Sequence, residues 1–144
     1  MSVEENLRVV DAKDEAINAR DWDRFDEIFA ESAVYTTSDM PEALKGVEAI
    51  CQRFMGLVNA FPDGKVEKER SFGQGNWVFL GANWTGTHDG PLPGPEGQVI
   101  PATGKTVRVP LGIMFEVEGG KIIETREYWD VLGMLTQLGV TTQD

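Results

Sequence analysis

The stretch that decides the fold runs from Thr106 to Asp130 and reads TVRVPLGIMFEVEGGKIIETREYWD. Two strand-like segments flank Gly119-Gly120, a dipeptide suited to a two-residue hairpin turn because glycine accepts positive φ angles. In such a hairpin, residues whose numbers sum to 239, as 119 and 120 do, lie opposite each other, so Asp130 faces Val109. Asp130 then emerges on an apolar face that carries Val107, Val109, Leu111, Ile113, Phe115 and Val117.

This predicted position makes Asp130 the first candidate for a functional group. An ionised carboxylate avoids apolar surroundings unless it is paired. Such a group is therefore either protonated, paired with a positive or hydrogen-bonding group, or part of a functional site. Two interpretations stay open. Asp130 caps the following helix by accepting from the amide of Leu132 or Gly133, or it acts as a general base; one carboxylate can do both.

Composition narrows the classes of function. The chain has 144 residues, a net charge of −11 and 41% hydrophobic residues, which predicts one domain spanning residues 1–144. An acidic surface attracts neither nucleic acid nor anionic membrane, so we expect neither as a partner. No apolar run reaches membrane-spanning length, no secretion signal is visible, and Cys51 has no partner for a disulfide, which favours a soluble, cytoplasmic protein. With one His and one Cys, the sequence predicts no His/Cys metal site.

The pattern along the chain predicts helices first and strands afterwards, which is typical of an α+β fold with a bent antiparallel sheet and its helices on one face. The longest irregular stretch, Asp89–Gly97, has the length of a lid or rim of a binding site. The predicted elements are a helix from about Val3 to Ala19, a short helix capped by Asp21, a strand at Ala33–Thr37, a helix ended by Pro62, strands near Lys65–Phe72, Asn76–Thr87, Thr106–Val117 and Lys121–Asp130, and a tail helix at Val131–Leu138.

His88 is the only imidazole and follows a predicted strand at the start of this loop. It is either a solvent-facing loop residue or a proton carrier at a cavity mouth, since histidine alone titrates near neutral pH when unperturbed. The four tryptophans and two tyrosines are a generous supply for a domain of this size. Aromatic walls of this kind would suit a flat or polycyclic ligand.

Several segments together resemble the SnoaL-like polyketide cyclase family, which belongs to the nuclear transport factor two-like superfamily. The resemblance spans nearly the whole chain and rests on Trp84–Gly90, Pro101–Lys105, Gly120–Glu124 and Tyr128–Gly139, with further support from Glu5-Asn6, Ile28–Ala30 and Phe61–Asp63.

This resemblance implies a cone-shaped barrel, made by a strongly bent antiparallel sheet with three N-terminal helices covering its concave face. It also implies a deep apolar cavity, a homodimer and no metal or cofactor. In the family, an acidic residue on the last strand acts as general acid/base in an aldol ring closure, and its equivalent here would be Asp130. A histidine that often follows the first strand's tyrosine is replaced here by Thr36, after Tyr35.

The leading hypothesis is an acid/base enzyme for a hydrophobic, carbonyl-bearing small molecule. Asp130 would move the proton, and His88, Tyr35 or Tyr128 would donate hydrogen bonds to the enolate. The residues expected to hold the ligand are Trp22, Tyr35, Phe54, Trp84 and Tyr128.

Two rivals stay open. An epoxide hydrolase or isomerase on the same fold needs an Asp–Arg–Asp set around one water, with Arg108 or Arg126 near Asp130, although Arg126 is better placed to meet Glu124 or another strand. A non-catalytic binding domain is the second rival, because fold alone does not fix function.

Overall fold

A computed structural model describes residues 2–94 and 97–140, and this part of the chain contains helices at both ends of the sequence. The first begins at a capping box formed by Ser2 and Glu5, and the second begins at Asp21, whose side chain accepts from the Arg24 amide at 3.1 Å, as predicted. The bounds of the described helices are α1 Val3–Ala19, α2 Trp22–Ile28, α3 Val47–Ala60 and α4 Val131–Leu138.

The strands of the described residues are β1 Phe29–Thr37, β2 Leu44–Lys45, β3 Lys65–Gln74, β4 Trp77–Thr87, β5 Leu92–Pro93, β6 Val99–Ile100, β7 Thr106–Glu118 and β8 Lys121–Trp129. They form a mixed six-stranded sheet of order β2-β1-β8-β7-β4-β3 and a separate pair, β5-β6. The predicted α+β class and helix-covered, cone-like sheet are confirmed. One difference is that β1 and β8 run parallel in an otherwise antiparallel sheet. The pair β5-β6 lies in and just after the stretch predicted to be irregular, whose residues 95 and 96 are outside the described part.

The hairpin of β7 and β8 contains a bulge that the pairing prediction missed. Next to the turn, Val117 pairs with Ile122, in the predicted register. The following pair is Glu116 with Glu124, so Ile123 is left without a partner on β7. From there to the end of β8 every residue is shifted by one position relative to the prediction.

This shift reverses the two faces of β8. One extra residue in a strand exchanges the inward and outward side chains beyond it, because side chains alternate with a period of two. The inward-facing residues of β8 after the bulge are therefore Thr125, Glu127 and Trp129. The prediction that Asp130 faces Val109 is wrong for this reason, whereas the apolar inward face predicted for β7 is confirmed.

The core lies between the concave face of the sheet and the helices. α1 crosses β3 and β4, while α3 packs against β1. A cluster of aromatic rings from α2, β1 and α3 fills one end, where Phe25 lies 4.7 Å from Phe29 and 5.4 Å from Phe54 between ring centroids. None of the helices within the described residues combines the length and apolar character that crossing a membrane requires.

Candidate functional site

A cavity of about 600 Å³ opens between the concave face of the sheet, α1, α3 and β5. Most of its wall is apolar, with contributions from Phe54, Val66, Trp84, Leu92, Val109 and Ile113. The charged side chains that reach it are Lys13, Asp39, Arg53 and Glu127. A mostly apolar cavity with a few convergent polar groups is the usual form of a small-molecule site.

Glu127 is the carboxylate on the cavity wall that the bulge in β8 turns inward. Only 7% of the residue is exposed, opposite Ile113. Its Oε1 accepts a short hydrogen bond from the Tyr35 hydroxyl, lies 3.1 Å from Thr37 Oγ1 and lies 3.6 Å from Arg53 Nη2. Among the described residues nothing donates to Oε2. The recorded contacts of the Glu127 carboxylate are therefore all made by one of its two oxygens.

Arg53 joins Glu127 to a second carboxylate. Its guanidinium makes two hydrogen bonds to Asp39, at 3.0 Å from Nη1 to Oδ2 and 2.9 Å from Nη2 to Oδ1. The same guanidinium lies over the Tyr35 ring, with Cζ 5.4 Å from the ring centroid. A paired fork of this kind fixes the arginine in place, because both carboxylate oxygens are engaged at once.

Thr37 and Trp129 complete the polar cluster. The indole Nε1 of Trp129 lies 3.1 Å from Thr37 Oγ1 and 3.2 Å from Asp39 Oδ1. Thr37 Oγ1 is in turn 2.7 Å from Asp39 Oδ1 and 3.1 Å from Glu127 Oε1. A hydroxyl has one proton to donate, so Thr37 donates to one of these two carboxylates at a time.

The environment also sets the ionisation of these groups. Burial, followed by the nearby charge of Glu127, raises the pKa of Tyr35 well above its ordinary value, so this phenol stays a neutral donor. Burial alone would raise the pKa of Asp39, but its hydrogen bonds to Arg53 and the charge of Arg53 outweigh burial and lower it. Burial opposes the charge of Arg53 too, yet the negative charges of Glu127 and Asp39 and the hydrogen bonds to Asp39 raise its pKa.

Asp130 lies outside this cluster. It is exposed, does not line the cavity and accepts a hydrogen bond from the Gly133 amide at 2.8 Å as the N-cap of α4. The capping interpretation of Asp130 is confirmed. The physical reason for the difference from the predicted apolar site is the bulge, which gives the inward position to Glu127 three residues earlier.

His88 is buried rather than exposed, and it lies away from the cavity wall. Its ring packs against Phe61 at 5.4 Å between centroids, and its Nδ1 is 3.0 Å from Thr103 Oγ1. Its Nε2 has no hydrogen-bond partner within the described residues. Neither the solvent-facing position nor the cavity-mouth position predicted for His88 is found.

The predicted ligand-holding residues divide into two groups. Phe54 and Trp84 line the cavity, and Tyr35 lies behind it, fully buried and bonded to Glu127. Trp22 packs edge-on against Phe25 away from the wall, and Tyr128 is 56% exposed on the outer face of the sheet.

The arginines considered for an epoxide hydrolase are both on the surface. Arg108 pairs with Glu67 at 2.9 Å, and Arg126 pairs with Glu124 at 2.8 Å, as expected for Arg126. Neither forms an ion pair with a buried carboxylate of the described residues. The cation that a hydrolase would require is present in a different place, at Arg53.

Sequence reasoning missed Glu127, Arg53 and Asp39, and each left a different signal. Arg53 is the single cation in the largely apolar helix Val47–Ala60, and a cation in such surroundings is expected to pair with a carboxylate. Glu127 could be found only by allowing for a bulge after Ile122. Asp39 follows β1 in a turn without any local signature. Across the residues that the structure describes, no group of His, Cys, Asp and Glu side chains could hold a metal ion.

Comparisons with known proteins agree with this architecture. The profile of SnoaL-like polyketide cyclases matches residues 7–138. A protein from Jannaschia sp. CCS1, provisionally assigned as a SnoaL-like polyketide cyclase, is 25% identical over 97% of this chain and 95% of its own, with a TM-score of 0.84. IdmH from Streptomyces antibioticus, provisionally assigned as a polyketide cyclase, is 24% identical over 94% and 99% of the two chains, with a TM-score of 0.79.

An enzyme with a different chemistry shares the fold. The LEH-like epoxide hydrolase of M. tuberculosis is 20% identical over 94% of this chain and 90% of its own, with a TM-score of 0.72. No curated protein sequence matches the chain. The family profile covers nearly the whole chain, and the chain has the nuclear transport factor two-like fold. The chain therefore belongs to the SnoaL-like polyketide cyclase family.

Proposed function

We propose that the protein is an acid/base enzyme that needs no cofactor, acts on a hydrophobic, carbonyl-bearing small molecule and uses Glu127 as the group that moves the proton. The observation that carries this proposal is the asymmetry of Glu127 on the cavity wall. Its Oε1 is held by Tyr35, Thr37 and Arg53, and its Oε2 has no donor among the described residues. A base fixed through one oxygen presents the other in a defined direction, which is what proton transfer requires.

The reaction would begin when Oε2 of Glu127 takes a proton from a carbon next to the carbonyl group. The C–H electrons move into the enolate, and the carboxylate becomes a carboxylic acid. In an isomerisation, this acid returns the proton to another carbon of the enolate. In an aldol cyclisation, the enolate carbon first bonds to a second carbonyl carbon, and the acid then protonates the new alkoxide.

A direct test uses 2-tetralone, a flat bicyclic ketone with acidic protons at C1, in deuterated water. Deuterium uptake at C1 is followed by proton NMR for the purified protein. We expect Glu127→Gln to slow the catalysed exchange by ~10²–10⁴, the usual contribution of a positioned acid/base. The matched control is Glu124→Gln, because Glu124 lies on the same strand with its charge paired to Arg126 outside the cavity.

Exchange that persists in Glu127→Gln would contradict the assignment of the base. Absence of catalysed exchange in the unaltered protein would instead favour the non-catalytic binding domain. Both variants remove one negative charge. A difference between their exchange rates therefore reflects the position of the carboxylate and not the net charge of the protein.

A second candidate function is epoxide hydrolysis, and one observation favours it. Arg53 lies between the carboxylates of Asp39 and Glu127, which resembles the carboxylate–arginine–carboxylate set that such a hydrolase uses around a water. Glu127 would take a proton from water while the hydroxide attacks an epoxide carbon and the C–O bond breaks. The low pKa of Asp39 argues against this function, since an ionised Asp39 has no proton to give to the epoxide oxygen.

We also propose that the protein works in the cytoplasm as a homodimer. Support for the dimer comes from the outer face of the sheet, where Phe72, Met114 and Tyr128 are exposed and Phe79 packs against Phe72 at 5.2 Å between centroids. Exposed apolar groups clustered in this way are typical of interaction surfaces. Light scattering on Phe72→Glu would test the dimer: this change should give a monomer, and an unchanged mass would contradict the proposal.

A further inference from the structure

Lys13 is a charged residue of the cavity that the proposed reaction does not use. It lies on α1 and lines the same cavity as Glu127, and only 3% of its side chain is exposed. Lysine is almost never this buried unless its charge has a partner or a task.

Its surroundings leave the ammonium group incompletely used. Lys13 Nζ lies 2.8 Å from Asp14 Oδ1 and 4.6 Å from the centroid of the Phe115 ring. Asp14 is buried as well, and neither of its oxygens has a hydrogen bond of good geometry within the described residues. An ammonium has three donors, of which the adjacent carboxylate and the ring face occupy two directions. At least one donor therefore remains for a group in the cavity.

The register of the hairpin locates this donor relative to Glu127. Ile113 and Phe115 are successive inward residues of β7, Glu127 lies opposite Ile113, and Lys13 lies over Phe115. Two residues along a strand span about 7 Å. Lys13 is therefore one inward position farther along β7 than the proposed base, so the two groups face different parts of a ligand in the cavity.

We propose that Lys13 is a positioning residue that donates a hydrogen bond to an oxygen of the ligand, one inward position of β7 away from Glu127. The ligand class is an apolar, ring-sized molecule with a hydroxyl or carbonyl oxygen at that position. A neutral oxygen fits better than an anion, because Asp14 already balances the ammonium and an added anion would lie beside two carboxylates of the cavity. This inference rests on the proposed function only in taking the cavity as the ligand site.

The test is a binding measurement with 2-naphthol and 2-methylnaphthalene, which share a ring system and carry a hydroxyl or a methyl group, respectively, at the same carbon. We expect the unaltered protein to prefer 2-naphthol and Lys13→Met to lose roughly tenfold or more of this preference, the usual contribution of a hydrogen bond to a charged group. Lys68→Met is the matched control. Lys68 lies on β3 at the surface, where it pairs with Asp11 of α1, the helix that also carries Lys13, and its replacement changes the net charge by the same amount. An unchanged preference in Lys13→Met, or its loss in Glu127→Gln instead, would overturn the proposal.

A second readout needs no variant and is not affected by folding. The unaltered protein should bind 2-naphthol more tightly than the anion 2-naphthoate, as followed by ligand fluorescence, because Asp14 already balances the ammonium and the carboxylates of the cavity would repel an added anion. Equal or tighter binding of 2-naphthoate would overturn the proposal. Proton exchange catalysed by Glu127 is measured separately, so a failure of this inference is distinguishable from a failure of the proposed function.

Discussion

Two carboxylates three residues apart, Glu127 and Asp130, have opposite environments. Glu127 is buried on the cavity wall and is contacted by polar side chains from two other elements of the chain, β1 and α3, whereas Asp130 is exposed and, among the described residues, bonds only the backbone of the helix that it begins. The single unpaired residue Ile123 produces this difference, because it exchanges the faces of β8. An acidic residue near the end of a strand is thus a candidate only once the register of that strand is known.

The largest expected effect comes from removing the cation that makes the buried position of Glu127 tolerable. Arg53→Met leaves Asp39 and Glu127 as two inward carboxylates without their shared partner. We expect this change to lower the free energy of unfolding by about 3 kcal/mol, measured by urea denaturation, since loss of one member of a buried pair leaves an uncompensated charge. A cost below ~1 kcal/mol would show that the two carboxylates are not held by Arg53.

Asp130, in contrast to Glu127, should contribute to stability only through its hydrogen bond to the first turn of α4. Asp130→Ala is expected to cost about 1 kcal/mol of unfolding free energy, because the Gly133 amide loses its acceptor. Asp130→Asn should remain close to the unaltered protein, since asparagine caps helices equally well. Equal losses in both variants would indicate a role for the charge of Asp130 that its contacts do not show.

Acid should affect the buried cluster through Asp39. The pKa of Asp39 is lower in the folded protein than in the unfolded chain, so its contribution to stability is present above the ordinary pKa of about 3.9 and is lost as the pH falls through the folded value. The unfolding free energies of the unaltered protein and Asp39→Asn should therefore converge between roughly pH 5 and pH 2. A constant difference across this range would contradict the proposed pairing with Arg53.

The smallest effect is expected on the outer face of β8. Arg126 and Glu124 form an exposed ion pair at 2.8 Å, two residues apart on the same strand. Exposed pairs contribute ~0–1 kcal/mol and are screened by salt. Arg126→Met should change the unfolding free energy by less than ~1 kcal/mol, and that change should disappear at high salt in the same urea titration. A salt-independent loss of unfolding free energy as large as that of Arg53→Met would contradict the expected difference between the inner and outer faces of β8.

Local signals in the sequence were sufficient for most of the fold. The cap at Asp21, the period of α1 and the Gly119-Gly120 turn each act over a few residues, so the elements that they define match the structure closely. The bulge at Ile123 carries no comparable signal, since it depends on how β8 fits between β7 and β1. The site depends on that fit, and on contacts such as Arg53 with Asp39 that join a helix to a turn.

The measurement that tests the central claim most directly compares Glu127→Gln with Asp130→Asn in the deuterium exchange of 2-tetralone. Each variant replaces one carboxylate by its amide and keeps its size. With Glu127 as the base inside the cavity, Asp130→Asn exchanges within about twofold of the unaltered protein and Glu127→Gln loses ~10²–10⁴ of the rate. A large loss in Asp130→Asn together with an unchanged rate in Glu127→Gln would contradict the account.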